Sequence, residues 1–182
     1  MKLTIGWLYP QLMSTYGDKG NIIVLKKRCE WRGIEVEILN LDTEFSIEDL
    51  KKCDLLFMGG AQDRQQKIVS IDLKEKSKNL KSMIEDNVPG LYICGAYQFL
   101  GIYYKEADGT IIRGLGIFDI YTENPGENVK RLIGNIAIKS NFGNLIGFEN
   151  HGGRTYLGEN IKPLGKVLKG FGNDGEDKTE GA

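Results

Sequence analysis

The sequence has one histidine, His151, and only three cysteines, Cys29, Cys53 and Cys94. The cysteine number is odd and no two stand in a CxxC pair. That argues against a disulfide framework or a zinc site and for a reducing compartment, and no metal is expected. The formal net charge is -1, so no overall positive field draws the chain to nucleic acid or to an anionic membrane. No apolar run approaches membrane-spanning length. The N-terminus, MKLTIGWLYPQ, has one lysine and a short apolar stretch interrupted by Pro10; it lacks the core of a signal peptide, and a cytoplasmic location is expected. Internal repeats and low-complexity linkers are also lacking, so the 182 residues read as one domain, long enough to bury a real core.

What is present is an ordinary soluble composition, 41% hydrophobic and 27% charged, arranged in two regimes. The first half alternates between two hydrophobic periods. Leu3 to Tyr9 reads as a buried strand and Asp18 to Arg32 as a helix, with Ile22, Leu25 and Cys29 on one face and Gly33 placed to end it. Glu35 to Leu41 and Asp54 to Met58 read as strands. Leu73, Leu80, Met83 and Ile84 form a helical stripe closed by Asn87 and Pro89, and Gly90 to Ile93 is a short strand. The alternation predicts an α/β fold, an open, mostly parallel sheet flanked by helices. From about Thr110, LGIFDIYT, KRLIGNIAIKS, NLIGFENH and KPLGKVLKGFG are strand-like. They predict a sheet-rich C-terminal half that adds antiparallel strands to the parallel core. The last ten residues, NDGEDKTEGA, read alone as a solvated tail or loop.

Ligands of an open parallel sheet bind beyond the carboxyl ends of its strands. Three segments end strands with unusual residues: the loop after Tyr9, Gly59-Gly60-Ala61-Gln62-Asp63, and Cys94-Gly95-Ala96. Cys94 stands between a strand and a short helix with small residues behind it, as a nucleophile at a tight strand-to-helix turn requires. A helix N-terminus there favours thiolate over thiol. The N–H groups of Gly95 and Gly60 are candidate donors to an oxyanion. Against this stands a small core cysteine at a strand end, a common placement. His151 is either a base for Cys94 or, as lone histidines more often are, a structural group. Arg131 opens a strand after the polar loop NPGENVK; its fork suits an α-carboxylate, while a surface arginine is the usual case. Asp18 either caps the first helix, the better reading, or orients a base. Cys29 and Cys53 look like packing residues. The sheet pattern alone would also suit a flavodoxin-like nucleotide binder, but neither GxGxxG nor GxxxxGK is present to hold phosphates.

LYPQLMSTYGDKGN, FMGGAQDRQQ, YICGAYQFLG and GFENHGGRT, in this order and spacing, resemble the class I glutamine amidotransferases of the cobyric-acid-synthase-like branch. Within it they are most similar to the glutaminase subunits of lipid II isoglutaminyl synthases. The resemblance implies that Cys94 hydrolyses glutamine through a thioester, with Gly60 and Gly95 at the oxyanion positions, and that Gln98 and Arg131 bind the substrate. It implies no cofactor on this chain. The partner it implies is a Mur-ligase-like, MurT-type synthetase subunit, on which ATP and magnesium are expected and which amidates the D-glutamate of lipid II in peptidoglycan synthesis. Cobalamin-type cofactor amidation and a non-catalytic glutamine-sensing module are the alternatives. Two departures stand out. Ala96 replaces a glycine common at this turn. The GTYLHG-like segment that carries the family's catalytic histidine has no counterpart, so the chain is expected to be truncated at its C-terminus, with His151 in a different motif.

Overall fold

A computed structural model describes residues 1–15 and 17–182. The chain folds as two compact units, Met1–Tyr97 and Gln98–Ala182. The first contains β1 (Lys2–Leu8), α1 (Lys19–Glu30), β2 (Glu35–Leu41), α2 (Ile47–Lys51), β3 (Leu55–Met58), α3 (Asp63–Glu85) and β4 (Gly90–Tyr92). Its four strands make one sheet in the order β2-β1-β3-β4, every pair parallel. This is the expected α/β arrangement, with strand ends within one residue of those the alternation of periods suggests.

Ile5, Trp7, Ile22 and Phe57 are buried together, with Leu3, Leu25, Val36, Ile38 and Leu55 packed against them. Of the expected α1 stripe, Ile22 is buried and Leu25 and Cys29 are half-buried. Gly33, at φ +68°, turns the chain out of α1. Its N–H donates to the Glu30 carbonyl and that of Ile34 to Cys29, satisfying carbonyls the helix leaves open. Helix α3 buries Gln66, Val69, Leu73, Lys76, Leu80 and Met83, a stripe at helical spacing that includes two polar side chains. Asn87, at φ +63°, ends the element. Its N–H bonds to Ile84 and that of Val88 to Met83, at 3.1 and 2.9 Å. Cys53 is buried, and burial pushes its thiol up to about 11, which makes it inert.

The second unit begins within α4 (Gly95–Leu100) and contains β5 (Tyr103–Lys105), β6 (Ile111–Arg113), β7 (Ile120–Glu123), β8 (Leu132–Ser140), β9 (Gly143–His151), β10 (Arg154–Leu157), β11 (Gly165–Lys169) and β12 (Thr179–Glu180). It is sheet-rich, as expected. The new strands do not extend the parallel sheet, however. They form two four-stranded sheets of their own, β10-β7-β5-β6 and β12-β11-β8-β9, in which β5 and β6, β8 and β9, and β11 and β12 pair as sequence neighbours. Only β5 and β7 run parallel there. Tyr103, Tyr121 and Tyr156 stack across the first sheet at centroid spacings of 5.4 and 5.1 Å.

The final residues are more ordered than a tail. Asn173 is buried, and its side chain exchanges two 3.1 Å hydrogen bonds with the backbone of Gly181. Thr179–Glu180 pairs with β11. Polar composition hid this, because the segment is held by its backbone and by one asparagine rather than by apolar packing. Among the described residues, no helix is long and apolar enough to cross a membrane.

Candidate active site

In the parallel sheet Met58 pairs with Tyr92, so the loops after β3 and β4 leave the same edge side by side. Ile93 N–H still donates to the Met58 carbonyl at 3.0 Å. Cys94 comes next, and it turns the chain: its φ is +56°, a left-handed conformation that costs an ordinary residue about 1–2 kcal/mol. Helix α4 begins at Gly95. Cys94 is the exposed cysteine of the three. A cysteine kept only for core packing would be buried, whereas this one is exposed at a left-handed turn between a strand and a helix.

Gly95 is a glycine for steric reasons. A Cβ there would stand 2.9 Å from Gln66 Nε2 and 3.5 Å from the Ala61 amide nitrogen, so the elbow lies directly against the Gly59–Ala61 loop. Gln66, buried on the first turns of α3, donates from Nε2 to the Ala61 carbonyl at 2.9 Å and fixes that loop. The third strand-end segment joins them. Asp18 is buried and makes no side-chain cap on α1, so the expected capping role is corrected: its Oδ1 accepts the Gly60 N–H at 3.3 Å. Thr15 N–H donates to the Gly60 carbonyl, also at 3.3 Å. At Gly59 a Cβ would meet Asp18 Cγ at 2.4 Å, so glycine there leaves room for that carboxylate. Ala96 is buried at 1% exposure, and its methyl is accommodated.

Behind this edge, the loop after β1 is held by Tyr9, itself at φ +52° and fully buried. Its hydroxyl donates to Asp72 of α3 at 2.6 Å. Lys76, one turn along, pairs with the same carboxylate and lies 4.6 Å above the Phe45 ring.

The remaining candidates belong to the second unit. Gln98 is half-buried, its Nε2 3.2 Å from where a Cβ on Gly153 would be. Arg131 is exposed, and its guanidinium is oriented from one side by Asn150: Nε donates to Oδ1 and Nη2 to the main-chain carbonyl, both at 3.0 Å. His151 ends β9 with Nδ1 2.8 Å from the Gly153 carbonyl. A carbonyl only accepts, so Nδ1 carries the hydrogen and Nε2 faces the Glu149 carboxylate at 3.9 Å. Glu149 is buried and accepts the N–H groups of Phe171 and Gly172 at 2.9 and 3.0 Å. Arg154, also buried, donates to the carbonyls of Gly152 and Lys130 at 2.8 and 2.9 Å. The motif FENHGGR is thus a hydrogen-bonded turn that fixes Arg131 and anchors His151. Gln66, Asn150 and Arg154 were missed from sequence. Their polar side chains inside regular elements were the available signal.

A model of the CobB/CobQ-like glutamine amidotransferase domain matches residues 4–182. The chain belongs to that family. It is 45% identical over 181 residues to subunit GatD of the glutamine-hydrolyzing lipid II isoglutaminyl synthase of Staphylococcus aureus strain N315, covering 99% of this chain and 72% of the relative. To the subunit of the same name from Streptococcus pneumoniae R6 it is 44% identical over 184 residues, with 99% and 69% covered. A probable cobyric acid synthase of Methanothermobacter thermautotrophicus is 27% identical over 160 residues, covering 81% of this chain and 31% of the relative. In fold, this amidotransferase resembles a crystal structure of glutamine amidotransferase with a TM-score of 0.59 at 16% identity, covering 89% of this chain and 79% of that one. The resemblance carried by the four motifs, and the fold it implied, are borne out.

Proposed function

We propose that this chain is the glutaminase subunit of a lipid II amidating enzyme, with Cys94 as its nucleophile. The observation that carries the reading is the exposed cysteine at φ +56° between a strand and a helix, whose neighbour Gly95 lies against the Ala61 amide nitrogen. The level of identity to two subunits that bear the lipid II isoglutaminyl synthase name supports this substrate over cobalamin-type amidation.

The Cys94 thiolate attacks the carbon of the glutamine side-chain amide and pushes its π electrons onto oxygen. The Gly95 and Gly60 N–H groups receive that oxyanion; the second is shared with Asp18, so its strength depends on how that carboxylate is held. Collapse breaks the C–N bond and releases ammonia once the nitrogen is protonated. The resulting glutamyl thioester is cleaved by water to glutamate and free thiol. Arg131 holds the α-carboxylate through its fork, and Gln98 helps to hold the substrate. His151, held through Nδ1 by the Gly153 carbonyl, is assigned no proton transfer, because it stands in a motif other than the one that carries the family's catalytic histidine; the base is assigned to no residue of this chain. Ammonia released into water near neutral pH becomes ammonium and loses its nucleophilic lone pair. A joined, Mur-ligase-like synthetase that supplies ATP and magnesium is therefore the partner proposed, acting in the cytoplasm on the D-glutamate of the lipid II stem.

The test is covalent labelling with a diazoketone analogue of glutamine, read by mass spectrometry. The label is expected on Cys94 and absent from Cys29 and Cys53, and Cys94→Ser should abolish it because unassisted serine is a poor nucleophile. Label found chiefly on Cys29 would overturn the assignment.

A further inference from the structure

The face of Arg131 turned away from Asn150 points to a second donor that neither the motifs nor the family assignment names. A Cβ on Gly152 would stand 3.1 Å from Arg131 Nη1 and 3.1 Å from Asn124 Nδ2. The two groups therefore flank the same bare side of a glycine. Neither can easily turn elsewhere. Arg131 is held from behind by Asn150 through Nε and Nη2. Asn124 is held through its oxygen, which accepts the Gly126 N–H at 3.1 Å across the turn of the NPGENVK loop. A backbone N–H needs an acceptor, so this bond settles which end of the amide is oxygen and turns the NH2 toward Gly152.

One permanently charged donor and one neutral donor thus converge, each anchored at its rear. That is the pattern of an anion cradle. A surface arginine in water has no need of a neighbouring amide whose acceptor end is already occupied. Glycine at 152 leaves the side between them open to a ligand, and a methyl group there would crowd both.

We propose that Asn124 binds the α-carboxylate of glutamine together with Arg131, the arginine supplying charge and the asparagine selecting a carboxylate over an α-amide. The inference rests on the glutaminase reading and on the role given to Arg131 there. Asn124 touches the unreacting end of the substrate, so it sets affinity and specificity rather than the chemical step.

The variant that isolates this role is Asn124→Asp. It keeps Oδ1 as acceptor for Gly126 and so preserves the loop, but it sets a negative charge where the donor was. The probe is the diazoketone analogue of glutamine, and the readout is the rate of Cys94 labelling against probe concentration. A counterpart with the α-carboxylate amidated and iodoacetamide serve as controls. In the unmodified chain, saturable labelling by the carboxylate probe is expected. Asn124→Asp should raise the half-saturating concentration about tenfold or more, the scale of one hydrogen bond to a charged group, with the limiting rate and the iodoacetamide rate unchanged. Asn124→Ala and Gly152→Ala should move it the same way by less. The α-amide probe should lose nothing in Asn124→Asp. Unchanged half-saturation in Asn124→Asp and Asn124→Ala, with the unmodified chain labelling normally, would overturn the role of Asn124 and leave the glutaminase reading intact. Failure of the carboxylate probe to label the unmodified chain while iodoacetamide does so would overturn both.

Discussion

Cys94 shows what a single residue is asked to bear. Its backbone sits at φ +56°, a region that glycine occupies freely and other residues at a cost of about 1–2 kcal/mol. Replacing it by glycine relieves that strain but loosens the unfolded chain by about 0.5–1 kcal/mol. Because the side chain is exposed, little burial is forfeited. Cys94→Gly is therefore expected to leave stability unchanged or raise it by about 0.5 kcal/mol. Cys94→Val, branched at Cβ in a left-handed turn, should lower it by at least about 1 kcal/mol. Urea unfolding of the three proteins gives the order; a clearly destabilised glycine variant would show that the side chain, not the strain, dominates. The tolerance of glycine at a position that carries cysteine would mark the residue as kept for chemistry. From the sequence the strand-to-helix turn and its small neighbours were legible. The sign of φ, the exposure of the thiol and the Gln66 brace were not, because each depends on contacts between residues far apart in the chain.

At the scale of elements, legibility followed period and length. The parallel strands were readable because each carries a run of apolar residues between turns. Helix α3 was read only from Leu73 onward. Its earlier turns bury Gln66, and Lys76 interrupts the later stripe; no hydrophobic pattern marks either polar residue. Strands of three or four residues, such as β5, β6 and β10, are too short to display a period. Two half-buried carboxyl groups, Asp72 and Glu180, give the fold two opposed pH dependences. Asp72 lies under burial, which opposes its charge, but hydrogen bonds from Lys76 and Tyr9 overcome that and hold its carboxyl below the usual range. Its stabilisation is present above the ordinary carboxylate value and is lost as pH falls through the lower folded one. Glu180 is the reverse. Burial beside Glu149 raises it from 4.5 to about 7. Its contribution is full below the ordinary value and is lost as pH rises through about 7. Glu180→Gln should thus stabilise the chain at pH above this window by about 2 kcal/mol and have little effect at acid pH. Asp72→Asn should destabilise at neutral pH, leaving Lys76 buried without its charge partner, and flatten the acid limb. Denaturation midpoints across the pH range check both. A Glu180→Gln gain that is equal at acid and alkaline pH would contradict the linkage.

For the whole molecule, the question is how a hydrolysis that yields ammonia serves a synthesis. A separate glutaminase would deliver ammonium to bulk water, and the synthetase would then compete for the small neutral fraction. A joined enzyme avoids this, and the division of labour makes a prediction that separates the nucleophile from the assembly. Co-expression of this protein with a Mur-ligase-like synthetase is expected to give a co-purifying complex that amidates lipid II with glutamine and ATP. In the complex carrying Cys94→Ala, the thioester cannot form, so glutamine-dependent amidation should fall by at least about three orders of magnitude. Added ammonium salt bypasses the missing step, and because only neutral ammonia attacks, this rescue should grow as pH rises while the unmodified enzyme with glutamine shows no such demand. Product formation from lipid II, followed with each nitrogen source across pH, distinguishes the cases. Loss of both activities would mean that Cys94 supports the partner's fold or docking instead of ammonia supply. Retention of glutamine-dependent amidation would remove Cys94 from the chemistry altogether.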